Sequence, residues 1–154
     1  MRHDHRLSDV LHVLLHMAER HEPATSDSLA KSLTTNPVVV RRVMAGLRDA
    51  GFVKSEKGHG GGWTLACDPT KVTLHDIYVA LGSPSLIAIG NRNETPHCLV
   101  EQAVNAALNS TLQDAEALLL SRLGEVTLAM LSAGLRKRVV ARRGSAAKTR
   151  RQTS

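Results

Sequence analysis

Asn36-Pro37-Val38-Val39-Val40-Arg41-Arg42-Val43-Met44-Ala45-Gly46-Leu47-Arg48-Asp49-Ala50-Gly51 carries its own start and stop signals. Asn36 is a good helix cap, because its side-chain oxygen can accept a backbone N–H of the first turn. Pro37 suits the first helical position, where its missing N–H is no loss. Gly51 supplies the left-handed residue that ends the helix at about Ala50. Between these signals Val40, Val43, Met44 and Leu47 recur at helical spacing and form a stripe for burial. Val38, Val39, Arg41, Arg42 and Ala45 face elsewhere, so the first turns of this helix offer methyl groups and guanidinium groups away from the core.

Upstream, Leu7, Leu11, Leu14, Leu15 and Ala18 predict a helix over 7–19, stopped by His21-Glu22-Pro23. Thr25 or Ser26 can cap a short second helix carrying Leu29, Ala30 and Leu33, and Thr34-Thr35 makes a tight turn into Asn36. Downstream, residues 52–56 and 62–66 read as strands around Lys57-Gly58-His59-Gly60-Gly61, whose glycines permit a hairpin. Two helices, a turn, a third helix and a two-stranded wing make a winged helix-turn-helix, the third helix of which enters the major groove of DNA. In that setting Val38 and Val39 can meet thymine methyls. Arg41 and Arg42 can take guanine or phosphate, a bidentate guanine contact giving about 1–3 kcal/mol of discrimination. Thr25 and Ser26, at a helix start, suit phosphate held by backbone N–H groups. Lys57 and His59 at the wing tip can reach phosphate or the minor groove. The plainer alternatives are a solvated face for the arginines and a wing that supports the fold without touching DNA.

Further along, Thr73 with Asp76 resembles a capping box for a short helix through Leu81, and 82–95 is expected to be irregular. Thr95-Pro96 opens a helix to about Asn109. Ser110 with Gln113 starts a long one to about Leu135. Leu112, Leu119, Val126 and Ala133 repeat every seven residues, with Leu123 and Met130 alongside, which is a coiled-coil-like seam broken only by Gly124. Such a stripe must be covered, either by its own copy in a homodimer or by the N-terminal domain. The expected architecture is mainly α: a winged helix-turn-helix domain with a two-stranded β wing over 1–84, a loop and sensor helix over 85–109, a dimerisation helix over 110–135 and a basic disordered tail over 136–154.

The formal net charge of +6 is unevenly spread. Residues 136–154 hold eight Lys/Arg and no acid, residues 1–66 carry +2 and residues 67–135 carry −4, so overall basicity alone is a poor argument for a DNA-reading head. No apolar run approaches the roughly 20 residues of a membrane-spanning helix, and Met1-Arg2-His3-Asp4-His5 does not open a signal peptide. Cys67 and Cys98 form no disulfide framework. A soluble, cytoplasmic protein with no membrane partner is expected. Paired carboxylates, a nucleophile triad and a phosphate loop are all missing; the glycines at 60–62 lie in a hairpin rather than between a strand and a helix, so an enzyme is not expected.

Ser28-Leu-Ala-Lys-Ser-Leu, the run from Asn36 to Leu47, Ala50-Gly-Phe-Val-Lys-Ser, Gly60-Gly-Gly-Trp-Thr-Leu and Val72-Thr-Leu-His-Asp-Ile-Tyr-Val-Ala-Leu together resemble the bacterial Rrf-type (Rrf-two) winged-helix regulators over roughly residues 6–135. The resemblance implies a homodimer with crossing C-terminal helices that binds a near-palindromic operator in double-stranded DNA, usually as a repressor. His59 stands where many members have proline. Many members also hold an iron–sulfur cluster through three cysteines before the dimerisation helix; this chain has only Cys98 there, so no cluster or other cofactor is expected.

Cys98, in the opening turn of a helix and beside His97, is placed for a thiolate and is the candidate redox sensor; Glu94 and Glu101 oppose this, and a buried, inert thiol is the plain alternative. Some cluster-free members of the family resemble thiol sensors. The rival readings keep the DNA-binding fold and replace the thiol by a small molecule or a partner protein, or make the domain a protein-interaction module. His12 and His16 have a metal-compatible spacing but no third ligand, and are expected to be solvated, with no metal site.

Overall fold

In a computed structural model the described residues are 4–20, 22–87, 89–91 and 97–152, with side chains described through residue 143. Six helices and one hairpin follow in the order α1 (Arg6–Glu19), α2 (Ser26–Leu33), α3 (Pro37–Asp49), β1 (Val53–Glu56), β2 (Gly62–Leu65), α4 (Leu74–Ala80), α5 (Leu99–Gly124) and α6 (Leu128–Gln152). This is the mainly helical, winged architecture expected, with the C-terminal half arranged differently.

The core is aliphatic. Val10, Val13, Leu14 and Met17 from α1 meet Leu29 and Ala30 from α2, Val40, Met44 and Leu47 from α3, Val53 from the wing, Ile77 from α4 and Leu128 from α6. Each of the larger side chains contributes roughly 1.5–3 kcal/mol by leaving water. The buried face of α1 matches the expected stripe only in part: Leu14 is fully buried, Leu7, Leu11, Leu15 and Ala18 are half-buried, and Val10, Val13 and Met17 complete the face. Apolar residues occupy several adjacent positions around one side of this helix, so spacing alone does not choose between neighbouring faces.

Local signals act as expected in α2, α3 and α4. The Thr25 hydroxyl accepts the Ser28 N–H at 3.1 Å. The Asn36 side-chain oxygen accepts the Val38 N–H at 2.8 Å, with Pro37 opening α3. Gly51, at φ +83°, turns the chain into the wing. Thr73 and Asp76 form the reciprocal capping box of α4. β1 and β2 pair antiparallel, Val53 opposite Leu65 and Glu56 opposite Gly62.

The expected helix over 110–135 is not formed. α5 runs without a break through Ser110 and stops at Gly124; a new helix starts at Leu128. The intervening segment is held by backbone: Leu74 N–H donates to Val126 C=O at 2.9 Å, Leu128 N–H to Val72 C=O at 3.0 Å, and Ala129 N–H to Pro69 C=O at 2.9 Å. The Thr127 hydroxyl accepts the Met130 N–H at 3.3 Å. Gly124 is a poor helix former and Val126-Thr127 are β-branched, so a backbone partner outweighs helix continuation here. The seam is thereby divided: Leu112, Leu119 and Leu123 lie on α5, Val126 in the connector, and Met130 and Ala133 on α6. The segment expected to be a disordered tail continues α6 to Gln152. No proline interrupts it, and its Ala, Lys and Arg residues favour helix despite Gly144. Thr95 and Pro96, expected to open the preceding helix, lie outside the described residues. Among those described, no helix is long and apolar enough to cross a membrane.

Candidate nucleic-acid interface

α2, the turn at Thr34-Thr35 and α3 present one surface, with the wing beside it. Thr34 takes the left-handed conformation, φ 52°, and this reverses the chain so that Asn36 faces outward with α3 behind it. Val38 and Val39 are 59% and 51% exposed although both are valines, and Arg41 and Arg42 are exposed next to them. Val43 is half-buried against the core and Val40 fully buried, so α3 divides into a core face and an outward face. The outward face carries two methyl-rich and two guanidinium side chains within the first two turns, a set that can read thymine methyls, guanine edges and phosphates.

Sequence reasoning assigned Thr25 and Ser26 to phosphate, and the structure gives their hydroxyls other work. Thr25 caps α2, and the Ser26 hydroxyl accepts the Trp63 indole N–H at 2.9 Å. The groups these residues retain for an anion are the first backbone N–H groups of α2, which have no intrahelical acceptor. The Trp63 bond ties β2 to the start of α2. It is reinforced by backbone, since Ala24 N–H donates to Trp63 C=O at 2.9 Å and Trp63 N–H to Ala24 C=O at 2.8 Å. β2 is therefore bonded on both edges, to β1 and to residue 24. A Cβ at Gly62 would sit 2.7 Å from the Ala24 carbonyl oxygen, so the close approach requires glycine at that position. Lys57 and His59 are exposed at the wing tip, beyond this clamp. No sequence signal pointed to the Trp63–Ser26 bond, because its partners are far apart in the chain.

Away from this surface, Cys98 is exposed and is itself the residue preceding α5, not part of the opening turn as expected. Its thiol makes no capping hydrogen bond, yet the N–H groups of Glu101 and Val100 favour the thiolate and hold its pKa below the ordinary thiol value. Cys67 has the opposite setting: half-buried against the core, with burial pushing its thiol pKa up. His12 and His16 stack, their Nε2 atoms 2.9 Å apart, and burial together with the charges of His12 and Arg20 lowers the pKa of His16. Among the described residues no group of three or more His, Cys, Asp or Glu side chains is placed to hold a metal.

α5 has little of its own chain against it. Of its 26 residues only Asn105 is buried. Leu99, Val100, Val104, Leu118 and Leu119 are exposed. Leu112 and Leu123 are half-buried, as is Val126 in the connector, while Met130 on α6 is 56% exposed.

The comparisons with known proteins agree with this geometry. The family model Rrf2, described as an iron-dependent transcriptional regulator, matches residues 3–134. YwnA of Bacillus subtilis, named as an HTH-type transcriptional regulator, is 31% identical over 111 residues, covering 72% of this chain and 82% of that protein. The HTH-type transcriptional regulator CymR of the same organism is 30% identical over 76 residues, 48% of this chain and 55% of CymR. The crystal structure of the oxidized form of Staphylococcus aureus CymR superposes with a TM-score of 0.65 at 19% identity, over 86% of this chain and 96% of that one.

Proposed function

Because the chain belongs to the Rrf2 family of winged-helix transcriptional regulators, we propose that it acts as a homodimeric, cytoplasmic repressor of a near-palindromic operator and that oxidation of Cys98 releases it. The observation that carries the DNA-reading part is the outward face of α3, with Val38 and Val39 exposed beside Arg41 and Arg42. Valines left in water on an otherwise well-packed domain fit a surface completed by a partner, and flanking guanidinium groups fit a polyanion. Asn36 fixes where that helix begins, Lys57 and His59 extend the contact from the wing, and the first turn of α2 takes phosphate through its N–H groups.

Dimerisation is supported by α5, whose exposed Val104, Leu118 and Leu119 need a second apolar surface. Leu112, Leu119 and Leu123 of the heptad seam lie on this helix. Val126 is used by the connector, and Met130 stands on a different helix. Two heads on one dimer read two half-sites, which is the reason for a near-palindromic operator.

The iron named in the family description does not fit the residues here. A cluster needs about four ligands, mostly thiolates, and of the two cysteines Cys67 is half-buried against the core after β2 while Cys98 is exposed before α5. We assign sensing to the thiol instead. The Cys98 thiolate attacks one oxygen of a hydroperoxide; the S–O bond forms as the O–O bond breaks, sulfur loses two electrons, and the leaving alkoxide or hydroxide takes up a proton. The sulfenic acid then condenses with a second thiol to a disulfide, releasing water. Either product alters the start of α5, and hence the relation between the two reading heads.

Selecting bound DNA from a random pool, with and without hydrogen peroxide, tests both parts. One inverted-repeat motif should emerge from the reduced protein and be lost on oxidation, and Cys98→Ser should keep the motif under both conditions. Failure to enrich any motif would overturn the repressor reading. Release of the Cys98→Ser protein by peroxide would overturn the sensor.

A further inference from the structure

α6 changes character at Arg136. Before it, Leu128 and Ser132 are buried and Leu131 and Leu135 half-buried, so the first two turns belong to the core. At Arg136 the guanidinium meets the Glu19 carboxylate at the end of α1, 2.8 Å away. From there through Arg143 every residue is exposed, and the helix continues to Gln152. The match to the family ends at residue 134, so the exposed part begins where the shared part stops. This segment holds eight Lys/Arg and no acid, whereas residues 1–135 together carry −2. Residues 1–66 carry only +2 and residues 67–135 cancel it, so the net positive charge of the chain comes from this segment.

We propose that the C-terminal part of α6, from Arg136 onward, is an auxiliary DNA-binding helix that takes phosphates flanking the operator without regard to sequence. This rests on the DNA-binding reading above and adds a second contact region to it. With successive residues turned by about 100° on a helix, Arg136, Lys137, Arg138, Arg142 and Arg143 project on all sides. A helix that lies on a membrane needs a broad apolar face. Here, among the residues whose side chains are described, Val139 and Val140 are exposed between cations and form no such face. Charge in every direction fits a surface that is itself charged along its length, and duplex DNA presents about one phosphate charge per 1.7 Å. Cations do stabilise the last turn of a helix through its dipole, but Arg136 to Arg143 lie two turns or more before the end at Gln152. Among the described residues Lys137, Arg138, Arg142 and Arg143 have no acidic partner, so their charges are available.

The test uses the full-length chain and its variant Lys137→Gln, Arg138→Gln, Arg142→Gln, Arg143→Gln, which keeps Arg136 and uses a residue that favours helix. Binding to the selected operator and to a scrambled duplex of equal length is followed by fluorescence anisotropy across a salt series. Each lost phosphate contact removes about 0.9 from the log–log salt slope, so the variant should lose about 3–4 units per protomer. Its affinity should fall by at least tenfold, equally on both duplexes, with the helical circular dichroism retained. An unchanged slope would overturn the proposal, and so would a loss confined to the operator. Retained DNA affinity with lost binding to phosphatidylserine vesicles or to polyglutamate would assign the helix to a membrane or an acidic protein instead. The two readings fail separately: full-length protein with no operator preference but a salt slope flattened by the four substitutions would sink the repressor and leave this helix in place.

Discussion

The two thiols show how much of a residue's chemistry is set by a few neighbouring groups. Cys98 stands in water at a helix start, where the N–H groups of Glu101 and Val100 stabilise negative charge; Cys67 is half-buried, and desolvation disfavours its thiolate. Thiolate is the reactive form and its fraction rises with pH, so the lower pKa makes Cys98 reactive at lower pH. In iodoacetamide labelling read by mass spectrometry, Cys98 should be modified first, with a midpoint below that of a free thiol. Cys67 should lag, with its midpoint above. Equal rates at all pH values would contradict these settings. Asn36, Thr73 and Asp76 were legible in sequence because cap and capped N–H lie within one turn. The role of the Ser26 hydroxyl was not legible, because its partner, Trp63, arrives from 37 residues away and only the folded chain brings them together.

At the level of elements, α4 begins on a charged device. The Asp76 carboxylate accepts the Thr73 N–H at 2.8 Å, and hydrogen bonds from Thr73 hold its pKa below the ordinary carboxylate value. A depressed pKa means that the stabilisation is complete above the unfolded-state pKa and is lost as pH falls through the folded-state value. Asp76→Asn should therefore lower Tm at neutral pH by a small amount, this site being largely exposed, and have no further effect in acid. A wild-type and variant difference that stays constant from pH 7 to pH 2 would refute this. The C-terminal elements were the least legible. Ser110 with Gln113 had the pattern of a helix start, yet the helix passes through them. The real break at 125–127 depends on residues 69–74 coming alongside, a pairing that no local pattern encodes. The heptad repeat across the break came from apolar residues that serve two different helices and a connector.

For the molecule as a whole, the winged head is a closed unit and α5 is an open one. A 26-residue helix with one buried side chain cannot be explained by its own chain, and burial of its leucines and valines against a second copy would stabilise both copies. Leu119→Glu should convert a dimer to a monomer in analytical ultracentrifugation. The same substitution should remove the rise of Tm with protein concentration expected of the unaltered chain. A monomeric, concentration-independent wild type would show that α5 is covered in some other way. The class of fold could be read from the first 80 residues, where caps, turn and wing are local. The number of helices beyond them could not, since residues 99–152 are shaped by contacts with the head and, on our reading, by a second chain.

The clamp on β2 has a consequence for how the head meets a duplex. A hairpin bonded along one edge only would sample many arrangements and lose that freedom on binding. Here the second edge is held by Ala24, and the indole of Trp63 is fixed to Ser26. Immobilising a flexible side chain on association costs about 0.5–1.5 kcal/mol; at the base of this wing that ordering has already taken place during folding. The base of the wing and α2 are thus one preorganised body. The tip around Lys57 and His59 lies beyond these bonds, so on our reading it keeps more conformational freedom to lose on binding than the base does.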